Sequence, residues 1–183
     1  MRRANLRGKR GDIWVSAVLY IALGIVAISL ILAAAIPAIN NMKDRNTVVQ
    51  TKELLYSLDK SIRDVSSEGP GSQRDLSPLV IKAGKMYVDE NGDNKIKWSM
   101  ETKAFILEPD VKIKEGSVSI LLKNTNIEGR YLVTLELDYK DVAKIFLDEE
   151  SKLRNPLSGQ YSLIIRNTGE YSNELPKVAI KLS

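Results

Sequence analysis

The sequence predicts an α+β protein: a long N-terminal helix, transmembrane and then amphipathic, followed by a mostly antiparallel β-sheet or small β-sandwich head domain. Three observations support this fold class. Residues 13–36 form an unbroken apolar run, residues 46–67 carry apolar side chains on one helical face, and short alternating runs separated by turns begin near residue 76. The predicted segments are a basic leader at 1–11, a transmembrane helix at 12–37, an amphipathic continuation at 38–68, a linker at 69–75 and a β-rich head at 76–183.

The apolar run at 13–36 has the length and composition of a membrane span. It contains 24 residues, none of them charged. A helix of this length extends about 36 Å, and the hydrocarbon core of a bilayer is about 30 Å thick. Small side chains recur along the run, and they would allow one face to pack closely against copies of itself in lipid. These residues are Ala17, Gly24, Ala27, Ser29 and Ala33.

The basic character of the chain is confined to its first eleven residues. They carry five of the 27 Lys and Arg residues and no acid, so residues 12–183 have 22 basic and 23 acidic side chains. A body with a net charge of −1 has no electrostatic reason to bind nucleic acid. Because a Lys/Arg-rich flank stays on the cytoplasmic side, we expect a single-pass membrane protein with an extracellular C-terminal domain.

Beyond Pro37, a second apolar pattern predicts an amphipathic helix at 46–67 that packs one face against the head. The apolar side chains on this face are separated by seven, three, four and three residues; they are Val48, Leu55, Leu58, Ile62 and Val65. The remaining surface is assigned to charged side chains, namely Lys52, Glu53, Asp59, Lys60, Arg63 and Asp64. The turn residues at 68–72 end this helix.

The C-terminal part of the chain predicts strands joined by short turns. Residues 85–89 and 95–99 flank an Asn91-Gly92 pair, which is a strong signal for a β-hairpin. Further strands are expected at 104–107, 111–113, 117–122, 131–137, 160–165 and 178–182, and a helical turn is expected at 141–150.

No side-chain pattern predicts catalysis, a metal site or a cofactor. Cys and His are absent, which excludes His/Cys zinc sites and nucleophile systems that depend on His. The oxygen-rich segment at 89–94 suggests a calcium loop, but its sixth position is Asn94 and its twelfth is Met100, where an EF-hand requires Gly and Glu. A turn is the simpler interpretation. The acidic run at 148–150 is typical of a solvated loop.

The N-terminal region combines a short basic arm, a glycine, an acidic residue and an apolar helix. This arrangement resembles the class III signal peptide of archaeal type IV pilin-like proteins. The resemblance implies that a prepilin peptidase recognises Lys9-Arg10-Gly11-Asp12 and cuts after Gly11. It further implies that the protein assembles with other pilin-like subunits into a surface filament. Ser16 stands where bacterial members carry Glu, so the resemblance is to the archaeal branch.

Other interpretations of the same segment remain open. An uncleaved signal-anchor would have the same composition and would leave a permanently anchored protein whose external β-domain serves binding or adhesion. Cleavage after Ala35 is disfavoured because about 20 apolar residues precede that site, more than an ordinary signal peptide contains. An anchored enzyme is the least favoured class, since no catalytic constellation is found.

Overall fold

The computed structural model describes residues 8–148 and 153–183, and for residues 8–13 the backbone alone. It begins with one helix, α1, that extends over Gly8–Glu68 and continues through Pro37. The helix ends at Gly69, whose φ of +96° is a left-handed value that favours glycine. The Ser72 hydroxyl lies 2.7 Å from the carbonyl oxygen of Val65 and 2.8 Å from that of Gly69, so it satisfies carbonyl groups at the helix end.

The described residues after the helix form eight strands in one sheet. In chain order the strands are β1 (Gln73–Val88), β2 (Lys95–Thr102), β3 (Lys112–Glu115), β4 (Val118–Asn124), β5 (Tyr131–Asp138), β6 (Lys144–Leu147), β7 (Leu157–Ser172) and β8 (Leu175–Leu182). Their order across the sheet is β3-β4-β5-β2-β1-β7-β8-β6. All neighbouring pairs are antiparallel except β6 and β8, which are parallel. The predicted α+β class is confirmed, with a single sheet rather than a sandwich.

The core lies on one face of this sheet. Side chains of β2, β4 and β5 alternate between buried and partly exposed positions, as expected for a sheet with one covered face. Trp98 on β2 and Leu135 on β5 are fully buried, and they belong to the same apolar cluster as Leu58 of α1. The sheet is therefore covered by the amphipathic part of the helix.

The predicted hairpin around Asn91-Gly92 is confirmed. Lys85–Val88 pairs antiparallel with Ile96–Ser99, and the intervening turn contains residues with positive φ, among them Asn91 and Gly92. The strand itself begins earlier than expected, because β1 starts at Gln73 inside the segment predicted as a linker. It passes through Pro78, where pairing with β7 is interrupted between Leu76 and Leu79. Proline has no N–H for the ladder, and the sequence at this point does not look like a strand.

Two other expectations are wrong. Residues 104–107 form no strand; they lie in an irregular segment whose Phe105 carbonyl accepts a hydrogen bond from Arg45. The helical turn expected at 141–150 is replaced by strand β6, and residues 149–152 lie outside the described residues. Ile145 of β6 is buried and pairs with Val178 of β8. A partner that is distant in sequence decides this local structure.

The chain divides into two compact units. The first ends at Asn40. The second, Asn41–Ser183, is here termed the head unit, and it contains the amphipathic part of α1 together with the entire sheet.

Candidate membrane span and surfaces of the head unit

The apolar part of α1 exposes its side chains along its whole length. Its large apolar residues from Trp14 to Ile39 are between 49% and 76% exposed. Among the described residues, α1 is the one helix long and apolar enough to cross a membrane. Apolar surface of this extent is found where a protein contacts lipid or other chains. The architecture is therefore compatible with a membrane-anchored protein.

The small residues of the span lie on two sides of the helix rather than on one. Successive residues are about 100° apart, so Ala17, Gly24 and Ala27 fall within a sector of about 80°, with Ser29 and Ala33 on the opposite side. The Ser29 hydroxyl donates to the Ile25 carbonyl at 2.8 Å, which satisfies it without a partner helix. A Cβ added at Gly24 would have no atom of the described part of the chain within 4 Å. Both sides are open to another chain.

The predicted processing residues Lys9, Arg10, Gly11 and Asp12 lie at the start of α1, where the backbone is helical. The remaining basic residues of the leader, within 1–7, lie outside the described residues. The bond between Gly11 and Asp12 thus lies in helical backbone within the described residues.

The five residues expected to pack the helix against the head are all buried. Their exposed fractions are 5% or less, and they share one apolar cluster with the sheet; they are Val48, Leu55, Leu58, Ile62 and Val65. Asp59, which was assigned to the solvated face, is instead buried and is a correction to the sequence analysis. It follows Leu55 by four residues and precedes Ile62 by three, so its spacing places it on the same face. Its charge concealed this signal.

The negative charge of Asp59 is paired with a positive charge on the same helix. The Arg63 Nε lies 3.0 Å from each of its two carboxylate oxygens. Tyr139 from the sheet side of the core is fully buried, and its hydroxyl makes no hydrogen bond within the described residues. Burial, and then the negative charge of Asp59, raise the pKa of Tyr139 far above its usual range. Tyr139 therefore stays neutral, and this cluster has the properties of a structural ion pair rather than of an acid–base site.

Both outer strands of the sheet are contacted by side chains from elsewhere in the head unit. At the β3 edge, the Tyr56 hydroxyl donates to the Glu115 carbonyl at 2.8 Å, and Lys52 pairs with the Glu115 carboxylate at 2.6 Å. That hydrogen bond, the largest cause, raises the pKa of Lys52. An uncovered edge strand is a template for pairing with another chain. These contacts fix Glu115 at the end of β3, while all four residues of the strand remain exposed.

The β1–β2 turn covers the other edge, β6. The Asn94 side-chain amide donates to the Ala143 carbonyl at 2.8 Å, and its oxygen accepts from the Ile145 N–H at 2.9 Å. Lys144 places its ammonium nitrogen 3.1 and 3.2 Å from the two Asp89 carboxylate oxygens. The carboxylate that suggested a calcium loop is thus neutralised by a lysine. Among the described residues, no group of three or more carboxylates is placed to hold a metal ion.

The outward face of the sheet carries crossed ion pairs. Glu136 on β5 accepts hydrogen bonds from Lys95 at 3.1 Å and from Lys112 at 2.9 Å. Burial acts to raise the pKa of Glu136, but the two lysines outweigh it, and the pKa of the carboxyl is lowered. Lys97 pairs with Asp93 on the same face, and this hydrogen bond raises the pKa of Lys97. These pairs link β2, β3 and β5.

An apolar groove is open on the head unit. Its volume is about 340 Å³, and it lies between α1 and the β3–β4 hairpin with charged residues among the apolar ones. The lining residues are Arg45, Val48, Val49, Lys52, Ile106, Leu107, Ile113, Glu115 and Ile120. Ile106 and Leu107 come from the irregular segment that was predicted as a strand. Sequence reasoning missed the groove, because helix, loop and hairpin residues meet there only in the folded chain.

Of the acidic run at 148–150, only Asp148 is among the described residues, since 149–152 lie outside them. The Asp148 N–H donates to the Ile180 carbonyl at 3.0 Å.

Comparison of the chain with family models, with curated proteins and with solved structures finds no match.

Proposed function

We propose that the protein is a subunit of a type IV pilus-like surface filament, held in the membrane by its apolar helix before assembly. The observation that carries the proposal is a long apolar helical run whose large side chains are exposed among the described residues, preceded directly by Gly11 and Asp12. A prepilin peptidase would remove residues 1–11 on the cytoplasmic side. The head unit would be extracellular, in keeping with the basic N-terminal flank.

Assembly would exchange lipid contacts of the span for contacts with the spans of other subunits. Small residues allow close approach of helices in lipid, where packing rather than the hydrophobic effect drives association. The two sectors of small residues, one containing Gly24 and the other Ala33, support this proposal because a helix in a bundle has neighbours on more than one side. Among the described residues, no atom lies within 4 Å of a Cβ added at Gly24, so a larger side chain there would disturb none of them.

The head unit also supports assembly through the helices rather than through the sheet. Asn94 covers the β6 edge of its sheet, so this edge is poorly suited to join subunits by strand addition. Assembly through the helices leaves the head fold unchanged, which suits a filament built from a membrane pool of finished subunits.

Disulfide crosslinking in native membranes tests the proposal. The chain contains no cysteine, so Gly24→Cys and Leu30→Cys each introduce a single thiol. Leu30 is the control, because it lies in the same apolar run but about 60° from the nearest small residue in each sector. We expect oxidation to link Gly24→Cys into dimers more readily than Leu30→Cys. Equal linkage, or none, would contradict assembly through the small-residue sides.

A permanently anchored binding protein is the second candidate. The apolar groove beside Val49 and Ile113 favours it, since concave apolar sites with a few polar groups are common ligand sites. In that case residues 1–11 would be retained, and neither cysteine variant would form dimers. Filling the groove by Val49→Trp would then abolish binding while leaving membrane insertion unchanged.

A further inference from the structure

The head unit carries exposed apolar side chains at the end where the chain enters it. Phe105 is 52% exposed and Ile127 is 56% exposed. Tyr131 connects them: its ring contacts Phe105 edge to face at 6.0 Å, and it pairs with Asn124 at the base of the turn that contains Ile127. We refer to Phe105, Ile127 and Tyr131 as the base patch.

Two hydrogen bonds fix the position of the base patch within the head unit. Arg45 donates to the Phe105 carbonyl at 2.7 Å, and Thr102 donates to the Asp44 carboxylate at 2.7 Å. Asp44 and Arg45 are among the first residues of the head unit, which begins at Asn41. The patch is therefore held at the start of this unit.

Chain connectivity keeps this end near the membrane. Asn41 follows Ile36, the last residue of the apolar run, by five residues. Even a fully extended chain of five residues reaches only about 18 Å. Whatever the orientation of the head, its first residues lie within that distance of the end of the span.

We propose that the base patch inserts into the interfacial region of the bilayer that holds the span. Exposed apolar patches mark interaction surfaces, and aromatic side chains with a polar group, such as Tyr131, favour the membrane interface. The segments that form this end, 41–47, 103–110 and 123–130, contain five Lys or Arg and four Asp or Glu. Because their charges nearly cancel, insertion depends on the apolar side chains, and we expect it in zwitterionic lipid.

This inference rests on membrane anchoring and not on filament assembly. The head would lie against the bilayer in the unassembled subunit, and the head would have to leave the lipid when the subunit is extracted. The two proposals can therefore fail separately, since the following experiment contains neither peptidase nor assembly machinery.

The test uses the full chain at one copy per nanodisc of zwitterionic lipid, with an environment-sensitive fluorophore on a single cysteine. Asn126→Cys places the label beside Ile127 and leaves the base patch intact. Tyr171→Cys is the control: Tyr171 is 60% exposed but lies beyond Asn167 on β7, whose side chain contacts the Val65 carbonyl near the opposite end of the helix segment. Nitroxide lipids labelled near the headgroup quench fluorophores that reach the interface.

We expect blue-shifted emission at Asn126→Cys that loses about half its intensity to nitroxide lipids, since interfacial groups lie about 5–10 Å into the headgroup boundary. The label at Tyr171→Cys should emit as in water and resist quenching. Adding Ile127→Ser and Phe105→Ser to Asn126→Cys should remove the shift and the quenching. Both residues are more than half exposed, so the variant should stay folded, with its unfolding temperature lowered only by the loss of the contact between Phe105 and Tyr131.

Three results would overturn the inference. The first is water-like, unquenched emission at both labels. The second is quenching at Asn126→Cys that survives the two serine substitutions in a folded protein. The third is a shift that appears only when two copies share a nanodisc, because the patch would then be covered by a second copy rather than by lipid.

Discussion

The two halves of α1 differ both in apolar content and in their surroundings. From Trp14 to Ile39 the helix is apolar on every side, and its large side chains are exposed. From Val48 to Val65 it is apolar on one side, and that side is buried against the sheet. The apolar side of the second half is buried by residues of its own chain. The first half requires lipid or other chains, so the pattern of apolar residues separates folding from anchoring within one helix.

The largest expected effect concerns the first half. Replacing Leu23 and Ile28 together by Asp places two carboxylates near the centre of the span, at about 2.5–3.5 kcal/mol each on the insertion scale. Together the two substitutions disfavour membrane insertion by about 5–7 kcal/mol, which is comparable to the summed favourable contribution of the apolar residues of the span to insertion. We expect the double variant to become extractable by alkaline carbonate, measured by immunoblot. Asp at Ser16 and Tyr171 should leave the protein in the membrane fraction.

The second half should respond through head stability instead. Leu58→Ala removes a buried side chain and should lower the free energy of unfolding by about 2–5 kcal/mol. The same substitution at exposed Leu23 should change it by less than about 0.5 kcal/mol. Urea unfolding of the full chain in micelles, followed by near-UV circular dichroism, measures both. Similar losses for the two leucines would mean that the halves are not energetically distinct.

Gly84 tests whether the head is held by close packing independent of the span. It has a φ of +77°, and an added Cβ would lie 2.6 Å from the Ser99 carbonyl oxygen and 2.7 Å from Trp98 Nε1. Gly84→Ala should cost about 2–4 kcal/mol from strain and overpacking. Gly92 has a φ of +74° but nothing within 4 Å, so Gly92→Ala should incur the backbone strain alone. Thermal unfolding midpoints compare the two, and equal shifts would refute the close approach.

Asn94 tests the closure of the β6 edge. Asn94→Ala removes two hydrogen bonds to the backbone around Lys144, and we expect a loss of about 1–3 kcal/mol with increased aggregation. Asn91 is a matched control, since its φ of +58° nearly equals the +57° of Asn94 and its side chain is exposed. Light scattering during refolding should increase for Asn94→Ala alone.

The smallest effect concerns pH. The pKa of Glu136 is lowered below its usual 4.5 by Lys112 and Lys95, which outweigh burial. Its stabilisation is present above that value and disappears as the pH falls through the folded-state pKa. We expect Glu136→Gln to cost about 1 kcal/mol at pH 7 and to flatten the acid side of the stability profile. Glu101→Gln, on a carboxylate that is mostly exposed, should leave the profile unchanged.

Local periodicity made much of this fold predictable. The apolar run and the spacing of Leu55, Leu58 and Ile62 identify both halves of α1, and Asn91-Gly92 identifies the hairpin. Non-local contacts explain the failures. Strand β6 depends on β8, about 33 residues away in the parallel register, and the groove collects residues from three separate segments. Asp59 was misplaced because charge was given more weight than spacing.

The most direct test of the central claim is the intact mass of the protein purified from its native membrane. The filament proposal predicts a chain that has lost residues 1–11 and begins at Asp12. A mass that retains Met1, or the residues up to Gly11, would contradict prepilin-type processing. The exposed span would then be a permanent anchor, and the groove of the head unit would become the first place to look for function.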